Sequence, residues 1–227
     1  LLLAAVPVWS ADIAALTKQL REGDAKARTE ARTLLLLEGL PALAPLLDLV
    51  GDENRTTDRE AQIALLKLVM DLARPDVAAE RRGEMVAALV ERAKSGNPAQ
   101  RKVALYLLGQ AGDARAVDAL AALLNDADWG EDARRALTLI PGAEATKALV
   151  AGLAAAAAPA RAAILGSLGR RHAAEAIKEV TEATRDDASE VRLAAIAALG
   201  NLGSAEAERT LRDLRKGRNV EERSAAR

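Results

Sequence analysis

The sequence predicts an all-α solenoid, and three observations carry that prediction. The apolar mass is Ala and Leu, with no Phe, one Tyr and two Trp in 227 residues. Runs of alternating β-branched or aromatic residues, the mark of strands, are missing. The chain also matches itself at fixed offsets along its C-terminal half. Ala, Leu, Glu and Arg lose little rotamer freedom in a helix, so composition alone favours helices from end to end.

Taken in order, the chain opens on Leu1-Leu2-Leu3-Ala4-Ala5-Val6, passes Pro7 and Trp9, and sets Val8 and Ser10 at the small −3 and −1 places before Ala11. Residues 1–10 read as the remnant of a bacterial signal peptide. The expected location is therefore exported, periplasmic or extracellular, and otherwise cytoplasmic. The competing reading is a capping helix over Leu1–Val6, broken by Pro7. The run is too short to span a bilayer, and membrane insertion of the mature chain is not expected. Residues 11–227 are expected to form a single solenoid. Its repeats are irregular over 11–96 and short and regular over 97–218. A further repeat is expected to begin at 219–227 and to continue beyond Arg227 in a parent chain cut at both ends.

The clearest unit is Asp187, Glu190-Val191-Arg192, Ala195, Ala198-Leu199-Gly200, Leu202-Gly203, Ala207 and Leu211. With Gly203 as anchor, the earlier equivalents are Gly112, Pro141 and Gly169, at spacings of 29, 28 and 34 residues in chain order. Four before each anchor lie Leu108, Leu137, Leu165 and Leu199; four after lie Ala116, Ala145, Ala173 and Ala207; eight after lie Leu120, Leu149, Ile177 and Leu211. Leu34, Ala42 and Leu46 form a looser copy, and residues 56–94 a longer hairpin. Each unit reads as helix, turn, helix. The apolar residues of the first helix recur at three and four, and the anchor ends it, Gly through a left-handed backbone and Pro through a missing donor. Thr57 with Glu60, Asn97 with Gln100, Asp187 with Glu190 and Asn219 with Glu222 have capping-box spacing.

The Val191-Arg192, Ala195, Ala198-Leu199-Gly200 and Leu202-Gly203 pattern resembles the HEAT repeat. In its short form it is similar to the phycobilisome-lyase-type HEAT-like repeats of bacterial proteins. The resemblance covers 97–216 well and 24–94 more weakly. It implies an armadillo-like α-solenoid, a right-handed superhelix of about five to six antiparallel helical hairpins, since one hairpin cannot bury its apolar stripe alone. Three positions depart from the pattern: Pro141 at the turn, Trp129 where Val191 stands, and Arg161 at an otherwise Ala position.

In solenoids of this class the second helices line the inner surface. Offsets of three, six and ten from the anchors predict its outward residues: Arg115, Asp118 and Ala122; Glu144, Lys147 and Ala151; His172, Glu175 and Glu179; Glu206, Arg209 and Asp213. Their signs alternate. Taken singly they read as a solvated face stabilised by local pairs; together they read as a charge-mixed groove for protein. Tyr106 aligns with Arg135, a tolerance that predicts exposure, so it joins the candidate binding surface. Trp129 aligns with Val191 and is expected in the core.

Charge and composition narrow the chemistry. With 32 basic and 33 acidic residues, no global drive toward nucleic acid is expected. The late basic group Arg209, Arg212, Arg215, Lys216 and Arg218 is diluted by Asp213, Glu221 and Glu222, and it suits a helix C-terminus. Without Cys there is no disulfide or thiolate metal site. Metal enzymes on similar scaffolds, such as deoxyhypusine hydroxylase, use repeated His-Glu pairs. Here there is one histidine, His172, and no His-Glu dipeptide. No catalytic constellation, metal site or cofactor site is expected. The function read from the sequence is a non-catalytic protein–protein interaction or scaffolding module. Its partner is another protein or another domain of the parent chain. The alternative is the HEAT portion of a larger enzyme, or a phycobilin-lyase-like accessory protein.

Overall fold

The computed structural model describes residues 12–217 and 220–226. The signal-peptide reading of residues 1–10 and the capping pair headed by Asn219 lie outside the described residues. Helices and short turns make up the regular structure of the described residues, and no strand occurs among them. The helices gather into two compact units, with the boundary between Leu107 and Leu108.

The first unit begins with α1 (Ile13–Glu22) and α2 (Ala25–Glu38). Asp12 caps α1 by accepting from Ala14 N and Ala15 N at 3.0 and 3.2 Å, and Asp24 caps α2 through Ala27 N at 2.8 Å. A 3-10 turn at Leu40–Ala42 leads into α3 (Leu43–Asp48), followed by α4 (Arg55–Leu72) and α5 (Ala79–Ser95). α1 packs on α2, α2 on α4, α3 on α4 and α5, and α4 on α5. Gly39, with φ 71, ends α2. The N-terminal copy turns at Gly39; Ala42 and Leu46 are buried there as the offsets predict, with Leu43 and Leu47 beside them, while Leu35 is buried in place of Leu34. α6 (Pro98–Ala111) carries the boundary between the units.

The second unit contains α7 (Val117–Ala121), α8 (Gly130–Leu139), α9 (Ala143–Leu153), α10 (Ala158–Arg170), α11 (Ile177–Ala183), α12 (Ser189–Leu202), α13 (Ala205–Arg215) and α14 (Val220–Ala225). The 3-10 turns Ala114–Ala116 and Ala174–Ala176 precede α7 and α11. First helices stack on first helices, α8 on α10, α10 on α12 and α12 on α14. Second helices do likewise, α7 on α9 and α11 on α13, while the turn before α11 packs on α9. Each hairpin thus touches its neighbours in the chain, which is the contact pattern of an α-solenoid.

Burial fixes the register of the repeats. Ala104, Leu105, Leu107 and Leu108 are buried in α6; Ala133, Arg134, Ala136 and Leu137 in α8; Ile164, Leu165, Ser167 and Leu168 in α10; Ala195, Ile196, Ala198 and Leu199 in α12. The second helices follow with buried Ala116, Ala145, Ala176 and Ala207. On this register the third anchor is His172, with φ 51, three residues beyond the expected Gly169, and the next is Gly203, with φ 60. Gly169 lies inside α10. A Cβ built on it would stand 3.0 Å from Ala198 Cα, so it serves close approach of α10 and α12 rather than chain reversal. Gly109 does the same between α6 and α8, its Cβ position lying 3.2 Å from Ala136 Cα.

The corrected register also explains Arg161. It falls level with Arg192, not with Ala195, and both brace the turn before their own helix. Arg161 donates to Ala156 O at 2.8 Å, and Arg192 to Asp186 O and Asp187 O at 2.9 Å. Of the predicted capping boxes, Asn97 with Gln100 forms reciprocally, at 2.9 and 3.1 Å. The Thr57–Glu60 box does not form. Asn54 caps α4 three residues earlier, which leaves Thr57 buried against Arg21 O and Glu60 paired with Arg32. The Asp187–Glu190 box does not form either: α12 starts at Ser189, and it is Asp186 that accepts from Ala188 N.

Candidate interaction surface

Polar ties join neighbouring hairpins of the second unit. Arg171 lies just past the end of α10 and reaches back to the end of α8. Its guanidinium donates to Leu137 O at 2.7 Å, Thr138 O at 3.1 Å, Ile140 O at 2.5 Å and Gly142 O at 2.8 Å, with Nε donating to Thr146 Oγ1 at 3.2 Å. These acceptors include carbonyls that a helix end leaves without intrahelical donors. Burial pulls the Arg171 pKa downward, opposed by the nearby Glu175 carboxylate. Arg161 makes a two-pronged pair with Asp186 at 3.0 and 3.1 Å. Asp186 is held below its ordinary pKa first by the Ala188 backbone N–H and then by Arg161. Arg192 pairs with Glu222 at 2.7 Å. Buried Arg134 bonds Ser167 on the next first helix and Glu131 on its own.

Arg115, Asp118, Glu144, Lys147, Glu175, Glu206, Arg209 and Asp213 are exposed, at the positions the offsets predict. Three members of the predicted ridge shift, because the third anchor is His172, and Glu175 stands three beyond it rather than six. His172 lies in the turn, where Nδ1 meets Asn201 O at 2.7 Å, and not on a helix. Glu179 is half-buried. Lys178 and Glu182, both exposed, take the ridge positions six and ten beyond the anchor. Neither is predicted by the sequence offsets, and the signal that locates them is the burial of Ala176 and Val180.

Once re-registered, the alternation becomes order. Glu144, Glu175 and Glu206 share one position of α9, the turn before α11, and α13. Lys147, Lys178 and Arg209 share the position three residues on. The first repeat departs: Arg115 and Asp118 reverse the signs, and Arg115 is bound to Asp113, the residue that caps its own turn.

Tyr106 is 54% exposed, as expected. Trp129 is half-buried at the entrance to α8 rather than in its core stripe, because the chain only turns helical at Gly130. Among the described residues no group of three or more His, Asp or Glu side chains is arranged to hold a metal ion. No described helix is long and apolar enough to cross a membrane.

Comparison with known proteins agrees with the repeat architecture. The family model for HEAT repeats matches residues 146–227. No curated protein matches the chain. Among solved structures, an engineered protein is 21% identical over 94% of this chain and 66% of its own, with a TM-score of 0.45. Human deoxyhypusine hydroxylase, solved with glycerol, is 20% identical over 94% and 81%, with a TM-score of 0.46. The CpcE–CpcF complex of phycocyanin lyase from Nostoc is 20% identical over 94% and 74%, with a TM-score of 0.34. The hairpins that this match spans, from α10 to α13, stack as helical repeats similar to HEAT repeats.

Proposed function

We propose that the chain is a non-catalytic interaction module that engages another protein, or another domain of its parent chain, through the exposed second-helix face of residues 108–217. One observation carries this reading: the charged positions of that face recur in register from hairpin to hairpin, on a framework fixed by Arg161, Arg171 and Arg192. Recurrence of surface charge at equivalent positions gives a ligand a periodic set of contacts. With few exposed aromatic anchors, affinity would come from breadth and charge complementarity rather than from a few hot spots. The apolar run Leu1–Val6 with Val8 and Ser10 supports export of the parent chain; a mature protein that retained Leu1–Ser10 would end that portion of the proposal.

The test is crosslinking of the intact chain in its native compartment, followed by identification of what it holds. A partner whose crosslinks map to Glu144, Lys147, Glu175 or Arg209 supports the reading. Crosslinks confined to other faces, or none above background, oppose it.

A further inference from the structure

The order of charge on the second-helix face points to the shape of its partner. In the register given by the sequence offsets the signs alternate, which suits an ordinary solvated surface. In the register set by burial they separate into two rows running along the stack: acidic through Glu144, Glu175 and Glu206, basic through Lys147, Lys178 and Arg209. Within each hairpin the two charges stand three residues apart. Helices often close such pairs on themselves, and this chain does so at Glu91–Lys94, Glu131–Arg134 and Asp213–Lys216. Among the described residues no ion pair joins Glu144 to Lys147, Glu175 to Lys178, or Glu206 to Arg209. The rows are exposed, although Glu175 also stands near Arg171 and Arg209 Nε donates to Ala205 O at 3.2 Å.

We propose that this face binds a helix laid along the stack, with basic side chains on one flank and acidic side chains on the other. The inference rests on the interaction reading above and gives it a ligand. Packed helices sit about 8–10 Å apart, which sets the advance from one hairpin to the next. Seven residues of α-helix rise about 10 Å. A guest helix carrying Lys or Arg every seventh residue on one flank therefore meets Glu144, Glu175 and Glu206 in turn. Asp or Glu at the same period on its other flank meets Lys147, Lys178 and Arg209. An extended chain fits less well. It advances about 3.3 Å per residue and alternates its sides every residue. Three residues per hairpin would then put successive contacts on opposite flanks.

The probe is a synthetic helical peptide of about four heptads, Ala-rich, with Lys on one flank and Glu on the other. The control peptide has the same composition with Lys and Glu shuffled between flanks. The intact chain should bind the patterned peptide about ten-fold or more tightly than the control at low salt, and the gap should narrow as salt rises. In E144K/E175K/E206K, checked for retained helicity, the preference should vanish, and a peptide with Glu on both flanks should bind best. Equal binding of the two peptides by the unmodified chain would overturn the proposal, as would a preference that survives the triple substitution. A native partner that binds the unmodified chain and the triple variant alike would keep the interaction reading and remove this one. Failure to crosslink any partner would remove the broader reading, and this one with it.

Discussion

His172 and Gly203 both take a positive φ, 51 and 60, at the same point of consecutive hairpins. Left-handed backbone crowds a Cβ against the carbonyl and costs a residue other than Gly about 1–2 kcal/mol. His172 offsets some of that cost through the contact from Nδ1 to Asn201 O, one repeat away.

Substitution separates the two effects. His172→Gly removes both the strain and the contact, and its stability should stay near that of the parent. His172→Ala keeps the strain and loses the contact. Urea unfolding should show the Ala variant about 1 kcal/mol less stable than the Gly variant. A more stable Ala variant would show that the turn is not strained.

Gly169 and Gly200 form a second matched pair, at equivalent points of α10 and α12. A Cβ at Gly169 meets Ala198 Cα at 3.0 Å, whereas a Cβ at Gly200 meets nothing within 4 Å. Gly169→Ala should destabilise by about 1–2 kcal/mol through overpacking. Gly200→Ala should stabilise by about 0.5–1 kcal/mol, because Ala loses less backbone freedom in a helix. Thermal melts of the two variants should move in opposite directions.

This pair also shows what the sequence hid. Leu165-Gly166-Ser167-Leu168-Gly169 matches Leu199-Gly200-Asn201-Leu202-Gly203 in pattern, yet the spatial equivalent of Leu199-Gly200 is Leu168-Gly169. The slip is three residues, close to one helical turn, so apolar residues fall on the core face in either register. Leu165 and Leu168 are both buried, as are Ala173 and Ala176. Periodicity could therefore find the hairpins and most of the exposed ridge, but not the phase of the third one. The Thr57–Glu60 spacing misled differently: capping depends on where the helix starts, and Asn54 claims that place first.

Arg171→Ala should cost about 2 kcal/mol or more, since the end of α8 would lose a charged donor to four carbonyls. Arg171→Lys should recover only a fraction, because an ammonium cannot spread its donors as the planar guanidinium does. Chemical denaturation of the three proteins checks the order: parent, Lys, Ala.

Acid should weaken the fold through two carboxylates. Glu131 is held below its ordinary 4.5, chiefly by the hydrogen bond from Arg134, and Asp186 below its ordinary 3.8, chiefly by the Ala188 N–H. For groups depressed in the folded state, the stabilisation is fully present above those ordinary values. It is lost as pH falls below them, through the folded-state values. Asp186→Asn and Glu131→Gln should each start less stable at neutral pH and fall less steeply in acid. Unfolding curves collected from pH 7 downward give both slopes.

The ties across the second unit repeat one donor, with Arg161 and Arg192 at equivalent positions, but otherwise differ from joint to joint. Arg134 reaches Ser167, Arg161 reaches Asp186, Arg171 reaches Leu137 through Gly142, His172 reaches Asn201, and Arg192 reaches Glu222. The joints from α8 onward thus carry different sets of polar partners. Cutting out one hairpin and reinserting it elsewhere would leave charged ends facing the wrong mates, although every hairpin has the same outline. The array is a fixed order of pieces rather than a set of interchangeable bricks.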